Sequence, residues 1–418
     1  MKAVINAVLF DFESFRPDSY VLFDHAIVAC GPMSQFPGAA HVTDAAGAWV
    51  MPGLVAGHTH LYSAFARGWA PPFSPRNFRQ LLEQLWWKLD AGLDLEAVAF
   101  SGRVGALASL KAGVTTLVDH HASGVIRGSL TVLQHAVVDE VGLRGLFAFE
   151  TSDRFDLDEC LDENTSFARH PGARSAGMVG LHAGLTLSDV TLDRVARSTG
   201  SLPIHVHLAE APEDHGTAAR LEARGLWRPG SLAVHGVHLD PGDAELLATR
   251  GVRLALNPSS NLSNGVGLPD VPALRRAGVP LTLGTDGLGF SLAPEVRNLV
   301  FSQRHRALDP LAAGLDDVAA VLRESWEFAG EALGCRLGRL EPGYEADLVV
   351  VDYEAPTPLD AANAAGHWFF GLLEAWRPRH VWVAGTPRLT EFQPAIREAD
   401  LHREARRVAA ALWKRIAP

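Results

Sequence analysis

The sequence predicts an α/β protein: a (β/α)8 TIM barrel with a small β-sandwich domain formed from both termini. Two observations predict the barrel. Short runs rich in Val, Ile, Leu and Ala, each followed by turn residues, recur eight times through the middle of the chain, and segments of helical periodicity lie between most of them. Strands that alternate with helices pair in parallel through right-handed crossovers, and eight such units over about 250 residues match a closed barrel.

The predicted elements can be placed along the chain. The eight strands cover residues 52–57, 115–119, 144–149, 178–181, 203–206, 232–234, 253–256 and 281–284. Helical periodicity predicts helices over residues 96–112, 129–141, 191–198, 218–224, 241–250, 271–277, 312–333 and 398–416.

The two ends of the chain differ from the middle. Residues 1–50 and 338–390 contain short strand-like runs separated by Gly and Pro, so we expect them to pack together as one β-sandwich domain. The barrel then occupies residues 51–337, and a C-terminal helix occupies residues 391–418. The apolar run near the N-terminus is cut off by Asp11 and Glu13, which indicates a first strand and not a signal peptide.

Composition limits the classes of partner. The net charge of −11 over 418 residues argues against a nucleic-acid or anionic-membrane partner, because phosphates would be repelled. The apolar runs fall short of the roughly 20 residues that a membrane helix needs. Three cysteines, odd in number and far apart, fit a reducing compartment. We therefore expect a cytoplasmic protein with a small-molecule substrate, and a homodimer on the general frequency of dimers.

Histidines and a carboxylate follow several predicted strands. His58 and His60 stand two residues apart, so both side chains leave the first strand on the same face. His207 closes the fifth strand and Asp286 closes the eighth. Three imidazoles and one carboxylate suit one divalent ion: zinc is the first expectation, with iron or manganese as alternatives. His205 lies on the same strand face as His207 and is the alternative ligand.

Further groups near the same strand ends suit proton transfer. Glu210 lies three residues past His207, and His235 closes the sixth strand. A bound metal lowers the pKa of a water molecule and supplies hydroxide. Glu210 could then carry a proton to a ring nitrogen, while His235 and Asp286 could take the proton of the attacking water and pass it to a leaving group.

The distribution of lysine bears on the number of metals. The sequence has no lysine between Lys111 and Lys414, so none closes strands three to eight. A binuclear centre bridged by a carboxylated lysine is therefore not expected, and we predict a single metal.

Several motifs resemble those of the amidohydrolase superfamily, over nearly the whole chain. They lie at residues 52–55, 58–60, 113–116, 207–210, 234–236, 257–261, 284–287 and 343–350. The His-x-x-Glu after the fifth strand is similar to that of the mononuclear aminohydrolase branch, which holds nucleobase and adenosine-derivative deaminases and triazine hydrolases. Within this branch, residues 62–64, 118–123, 151–154 and 180–183 most resemble the aminohydrolases called SsnA.

The resemblance implies roles for individual residues. It implies one metal on His58, His60, His207 and Asp286, with Glu210 as the proton shuttle and His235 as a residue that orients or activates the water. It implies substrate contacts for His182, His121 and Arg154. Aromatic residues after the first strand, where such enzymes carry a lid, could stack on a flat heterocycle: Phe65, Trp69, Trp86 and Trp87.

The expected function is that of an aminohydrolase. Hydroxide would attack a ring carbon that bears an amino group, and ammonia would leave. Ring opening of a cyclic amide or imide, or loss of chloride, needs the same metal and stays an alternative. A non-catalytic metal-binding protein is a further alternative, against which the proton-transfer set Glu210, His235 and Asp286 argues.

Overall fold

The computed structural model describes residues 1–417 and places eight parallel strands in a nearly closed barrel. Each strand pairs with its neighbour in chain order. Barrel strands 1 to 8 are Leu54–Thr59, Val114–His121, Arg144–Thr151, Val179–Ala183, Ile204–Leu208, Leu232–His235, Arg253–Leu256 and Leu281–Leu283. A short strand, Ser175–Gly177, adds to barrel strand 3. The predicted barrel is confirmed.

The first and last barrel strands meet through a single bridge between Thr59 and Asp286. The backbone amides of Thr285 and Asp286 donate to the His58 carbonyl oxygen at 2.8 and 3.2 Å. A Cβ on Gly284 would lie 2.7 Å from the same oxygen, so only glycine permits this close approach. The closure therefore sets Asp286 directly beside the first pair of histidines.

Helices follow most of the barrel strands, as predicted. They are Phe78–Leu81, Trp87–Gly92, Leu95–Lys111, Ser129–Gln134, Leu157–Arg169, Asp189–Ser198, Thr217–Glu222, Asp243–Arg250, Pro258–Asn264, Val271–Arg276, Leu292–Ala307, Leu315–Leu333, Ala364–Phe370 and Glu398–Ile416. Several begin at a side chain that accepts the first free amides, such as Asp94 from Ala97 and Ser188 from Thr191. Among the described residues, no helix has the length and hydropathy of a membrane span.

Both ends of the chain contribute to one nine-stranded sheet. Its strands are Lys2–Phe10, Phe15–Phe23, Ile27–Pro32, His41–Asp44, Trp49–Pro52, Leu348–Val351, Pro378–Val383, Thr386–Thr390 and Gln393–Pro394. Trp49–Pro52 joins the two ends, since it pairs in parallel with Lys2–Phe10 and antiparallel with Leu348–Val351. The sheet shared by the two termini is confirmed, while its description as a sandwich and the domain limits at 50/51, 337/338 and 390/391 stay predictions.

The first barrel strand begins later than the sequence predicted. Pro52 belongs to the terminal sheet, and Gly53 separates the two strands, with its amide donating to the Asp347 carbonyl oxygen at 2.8 Å. Gly53 packs closely on barrel strand 2, because a Cβ there would lie 2.3 Å from the Thr115 side chain. One continuous apolar run therefore serves two different sheets.

A buried ion pair ties the barrel to the terminal sheet. Arg144, at the start of barrel strand 3, donates to both carboxylate oxygens of Asp347 at 3.0 and 2.9 Å, and to Glu345 at 2.7 Å. The side chains of Arg144 and Asp347 are each 4% exposed. Bidentate geometry of this kind fixes the orientation of both partners.

Alternation along barrel strand 5 decides which histidines face inward. Ile204, Val206 and Leu208 belong to the large apolar core that includes the surrounding helices. His205 and His207 point to the opposite face, because successive side chains on a strand alternate. Both histidines therefore face the inside of the barrel.

Candidate active site

Metal-ligating side chains converge at the ends of barrel strands 1, 5, 6 and 8. One potential ligand atom from each of His58, His207, His235 and Asp286 lies within 4.8 Å of all the others, and all four residues are buried. His60 joins the same cluster, with its Nε2 3.1 Å from Asp286 Oδ1 and 3.2 Å from His207 Nε2. The cluster thus holds four histidines and one carboxylate, and three of the histidines with the carboxylate would suffice for a divalent metal.

The hydrogen bonds of two histidines favour metal binding. His60 Nδ1 lies 2.6 Å from the His120 carbonyl oxygen, and His207 Nδ1 lies 2.8 Å from the His182 carbonyl oxygen. A carbonyl only accepts, so both Nδ1 atoms carry the ring proton. The two Nε2 lone pairs then face each other at 3.2 Å, and a cation between them removes that repulsion.

His58 also presents its Nε2 to the cluster. This nitrogen lies 3.4 Å from Asp286 Oδ1 and has no hydrogen-bond partner among the described residues. The other nitrogen, Nδ1, lies 2.9 Å from Nε2 of His205. His205 is thus directed at His58 and not at the cluster, which favours His207 over His205 as the ligand.

His235 differs from the other histidines in its tautomer. The Asn261 amide nitrogen lies 3.0 Å from His235 Nδ1, and an NH2 group can only donate. The proton of the neutral ring is therefore on Nε2, which lies 3.4 Å from Glu210 Oε2 and 3.9 Å from Asp286 Oδ2. An N–H at this position donates a hydrogen bond and does not coordinate a metal, which favours His60 over His235 as the fourth ligand.

Burial controls the charges of these groups. It lowers the pKa of His58 to about 4 and that of His235 to about 3, so both rings are neutral at physiological pH. Burial opposes ionisation of Asp286, but the imidazoles of His58 and His60 hold its pKa well below its usual range. At His60 the hydrogen bond and charge of Asp286 outweigh burial and raise the pKa of the ring. The rings of His58 and His235 are thus neutral beside one carboxylate, and a metal bound at His60 would take the place of its second ring proton.

The pKa of Glu210 is shifted in the direction opposite to that of Asp286. Burial, reinforced by the nearby charge of Asp286, raises the pKa of Glu210 well above its usual value. Burial and Asp286 therefore favour the protonated carboxyl, the form that can donate a proton. Glu210 and Asp286 thus have separated pKa values, as expected for an acid and a base in one site.

Three non-glycine residues at this edge of the barrel have left-handed backbone conformations. Ala209 has φ of 52°, His235 of 75° and Asp286 of 52°. Such conformations cost about 1–3 kcal/mol each and concentrate at functional sites. The strained turn at Ala209 lies between His207 and Glu210, and so sets the direction of both side chains.

An open cleft of about 780 Å³, counting the space open to solvent, lies above the cluster. Its walls include Tyr62, Phe78, Leu82, Trp86, Trp87, His182, Leu185 and Leu288. Glu210, His60, His207 and Asp286 also line it. A flat apolar ring could therefore lie between these walls with one edge at the metal cluster.

The predicted substrate contacts fall into two groups. His182 lines the cleft, whereas His121, Arg154 and Trp69 are absent from the lining within the described part of the chain. His121 is fully buried and donates from Nε2 to the Ser123 hydroxyl at 3.1 Å. A substrate contact for these three residues stays a prediction without support from the cavity.

His182 has a defined hydrogen-bonding role. The Thr186 hydroxyl donates to the Ala183 carbonyl oxygen at 3.0 Å, so it accepts from His182 Nδ1 at 2.7 Å. Burial lowers the pKa of His182, which leaves Nε2 as a neutral acceptor. His182 can therefore accept a hydrogen bond from a ligand in the cleft.

Some site residues were not predicted. The Ser260 hydroxyl donates to Asp286 Oδ2 at 2.5 Å, and the Asn264 amide lies 3.2 Å from that hydroxyl and 3.5 Å from Glu210 Oε1. Ser260 and Asn264 are four residues apart on the helix after barrel strand 7, so they share one face. Polar residues at this spacing, on a helix that directly follows a strand end, could have indicated these two site residues from the sequence.

Three acidic residues of the cleft were also missed. Asp214 accepts from the Ala209 amide at 2.7 Å and from the Thr217 hydroxyl at 2.6 Å. Asp90 comes from the helix Trp87–Gly92, and Glu150 is the last but one residue of barrel strand 3. A carboxylate at the end of an otherwise apolar strand was a readable signal for Glu150.

Comparisons with known proteins agree with this geometry. Residues 49–388 match the amidohydrolase family. A 5-methylthioadenosine/S-adenosylhomocysteine deaminase of Desulforudis audaxviator is 30% identical, and the match covers 91% of this chain and 93% of that protein. A 5′-deoxyadenosine deaminase of Methanopyrus kandleri is 28% identical, with coverage of 80% of each chain.

Two solved structures share the fold of this protein. An adenosine deaminase from Xanthomonas campestris with bound zinc superposes with a TM-score of 0.84 at 25% identity and covers 98% of both chains. A zinc complex of atrazine chlorohydrolase from Arthrobacter aurescens shares the fold, with a TM-score of 0.81 at 21% identity, and covers 99% of this chain and 100% of that one. The resemblance to the SsnA subgroup stays a prediction. A family match over most of the chain, with deaminases among its relatives, establishes that this protein belongs to the amidohydrolase family and hydrolyses carbon–nitrogen bonds.

Proposed function

We propose that this enzyme is a zinc-dependent deaminase of 6-aminopurine nucleosides, the class to which its named relatives' substrates belong. The observation that carries the proposal is the position of the buried Glu210 carboxyl, whose raised pKa favours the protonated form, beside His60, His207 and Asp286 in an aromatic cleft. Deamination needs a proton donor for a ring nitrogen at that place. A protein that only bound a metal would not require a protonated carboxyl beside the metal ligands.

Zinc is proposed on the residues His58, His60, His207 and Asp286. The donor set supports a divalent ion, and the zinc-bound relative from Xanthomonas campestris supports the choice of zinc over iron or manganese. When bound, a divalent ion acidifies a water molecule so that hydroxide is available near neutral pH.

The first half of the proposed reaction is addition of water to the ring. Asp286 accepts one proton of the attacking water, since its carboxylate stays ionised in the folded protein. His235 donates from Nε2 toward the water oxygen and orients it. Glu210 gives its proton to N1 of the purine while the new bond forms between the water oxygen and C6.

The second half expels ammonia. Asp286 returns its proton to the amino group, the bond between C6 and that nitrogen breaks, and ammonia leaves. The remaining proton on the added oxygen passes to Glu210, which restores the neutral carboxyl. The product keeps a proton on N1 and a carbonyl at C6, so protons and electrons balance.

The cleft supports a purine in this orientation. Trp86 and Trp87 offer aromatic surface for the flat ring, and His182 offers a neutral acceptor. The cytoplasmic location and the homodimer expected from the sequence stay predictions; Cys30, Cys160 and Cys335 are all free thiols.

The proposal is tested by ammonia release from adenosine, 5′-deoxyadenosine and 5-methylthioadenosine by zinc-loaded protein, followed together with the ultraviolet change of the purine. We expect stoichiometric ammonia and hypoxanthine-type product. Absence of ammonia, with turnover of cyclic amides or chlorotriazines instead, would move the assignment to the alternative hydrolyses.

A further inference from the structure

Asp90 and Glu150 are buried acids that line the cleft, and burial raises the pKa of Asp90 to about 7, so a cation bound beside it would take the place of its proton. Among the described residues that line the cleft, none is a lysine or an arginine, whereas Asp90 and Glu150 are both present. Both carboxylate side chains are nearly inaccessible, with 2% and 4% exposed. Buried charges of one sign without equal compensation are costly unless a ligand supplies the opposite charge.

Arg154 compensates for only one of the two carboxylates. Its Nη2 lies 2.7 Å from Asp90 Oδ2 and 3.3 Å from Glu150 Oε1. The guanidinium is stacked between the rings of Trp87 and Phe155, at 4.7 and 4.8 Å from their centroids. Asp90 and Glu150 line the cleft, whereas Arg154 is outside its lining.

Polar atoms at this place also lack partners. Asp90 Oδ1 and Trp87 Nε1 are inaccessible to solvent and have no hydrogen-bond partner in the described structure. Asp90 as a residue is 1% exposed. A buried acceptor without a partner costs about 1–3 kcal/mol, so a ligand that donates a hydrogen bond to it gains affinity.

The acidic pair lines the same cleft as Glu210, next to the aromatic wall that Trp87 provides. The ring of His182 lies 5.6 Å from that of His207, and the ring of Trp87 lies 6.1 Å from that of His182. Asp90 is three residues further along the helix that carries Trp87. We place the C6 edge of the purine at Glu210 and its sugar beside Asp90, past the rings of His182 and Trp87.

Resting on the proposed function, we propose that Asp90 and Glu150 form a charge-selective subsite that prefers a cationic group on the sugar and rejects an anionic one. Nucleotides and nucleosides with a free carboxylate are then poor ligands, and amine-bearing nucleosides are the best. Specificity arises in part from repulsion, since the acids disfavour the wrong ligand.

The test is a binding series of three nucleosides that differ only at the 5′ position. They are 5′-amino-5′-deoxyadenosine (cation), 5′-deoxyadenosine (neutral) and adenosine 5′-carboxylate (anion). Titration calorimetry at pH 7.5 uses the full-length, zinc-loaded Glu210→Gln variant, which prevents turnover during the measurement. One buried charge contact shifts an equilibrium by roughly ten- to thousandfold, so we expect about tenfold or more at each step of the series.

Variants assign the effect to the pair. Asp90→Asn and Glu150→Gln, each added to Glu210→Gln, should reduce the spread of affinities between cation and anion at least tenfold. Glu83→Gln is the matched control, because Glu83 is 44% exposed, lies in the same segment and does not contact the cleft. It should leave the spread unchanged. Thermal unfolding of each variant checks that it is folded.

Several results would overturn the inference. They are equal binding of the three ligands within about threefold, tighter binding of the anion, binding of none of them, or an unchanged spread in both acidic-pair variants. The proposed function fails separately: it requires turnover of 5′-deoxyadenosine by the unmodified enzyme. If the enzyme turns over 5′-deoxyadenosine but binds the three nucleosides equally, only the subsite is contradicted. If the three affinities differ as expected but no turnover occurs, only deamination is contradicted.

Discussion

Glu210→Gln removes proton transfer while it keeps the shape of the site. Glutamine has the size of glutamate, and its carbonyl oxygen can still accept from His235 at the position where Glu210 Oε2 lies 3.4 Å from Nε2. It cannot deliver a proton to a ring nitrogen. Positioned general acids contribute about 10²–10⁴-fold, so we expect kcat to fall by that factor, which corresponds to about 3–5 kcal/mol. KM should change less than about threefold.

The assay is steady-state ammonia release, with bound metal and thermal stability measured on the same samples. Metal content should be unchanged, because Glu210 is not a proposed ligand. The melting temperature should not fall, because the substitution removes a carboxyl that burial and Asp286 already disfavour in its ionised form. Glu295→Gln is the matched control: Glu295 is also buried and near Asp286, but is outside the cleft lining. It should keep activity within about twofold. A loss below tenfold in Glu210→Gln, or an equal loss in Glu295→Gln, would refute the assigned role.

Three further predictions follow from the same structure. Arg144→Met leaves the buried carboxylate of Asp347 without its partner and should lower the free energy of unfolding by about 3–5 kcal/mol in denaturant titrations; a loss below about 1 kcal/mol would contradict the buried pair. Burial raises the pKa of Glu295 to about 7, so the folded state holds this proton more tightly than the unfolded chain. Stability from Glu295 is therefore present below pH of about 4.5 and is lost as pH rises to about 7; Glu295→Gln should gain up to about 3 kcal/mol over wild type between pH 4.5 and 8, and parallel pH profiles would contradict this. Asn261→Asp replaces the donor to His235 Nδ1 by an acceptor and moves the ring proton from Nε2, so kcat should fall at least about tenfold with bound metal unchanged, whereas an unchanged kcat would exclude the assigned tautomer.

The sequence was sufficient for the barrel, and the structure brings the predicted ligands together, while their binding of one metal stays a prediction. Apolar runs define the strands, and parallel strands bring their carboxyl ends to one edge, so residues such as His58 and Asp286 could be placed together without coordinates. The spacing of two residues between His58 and His60 predicts that both rings face the same way, and in the structure both face Asp286.

The substrate contacts were less predictable, because they depend on one-residue alternation and on distant segments. His120 and His121 are neighbours in barrel strand 2, yet His120 faces the metal histidines, 4.7 Å from the ring of His207, and His121 faces Phe149. The strand end alone does not decide which of two neighbours points inward. Asp90 reaches the cleft through a helix whose approach to barrel strand 3 has no local signal. The tautomer of His235 depends on Asn261, 26 residues away.

The most direct test of the central claim is the position of the metal. Anomalous diffraction at the zinc edge on crystals of zinc-loaded protein would locate each ion and its ligands. We expect one peak per chain, at about 2.0–2.2 Å from Nε2 of His58, His60 and His207 and from a carboxylate oxygen of Asp286, with His235 Nε2 outside coordination distance. A second peak, or a single ion that coordinates His235 in place of His60, would contradict the proposed division between metal ligands and proton-transfer groups.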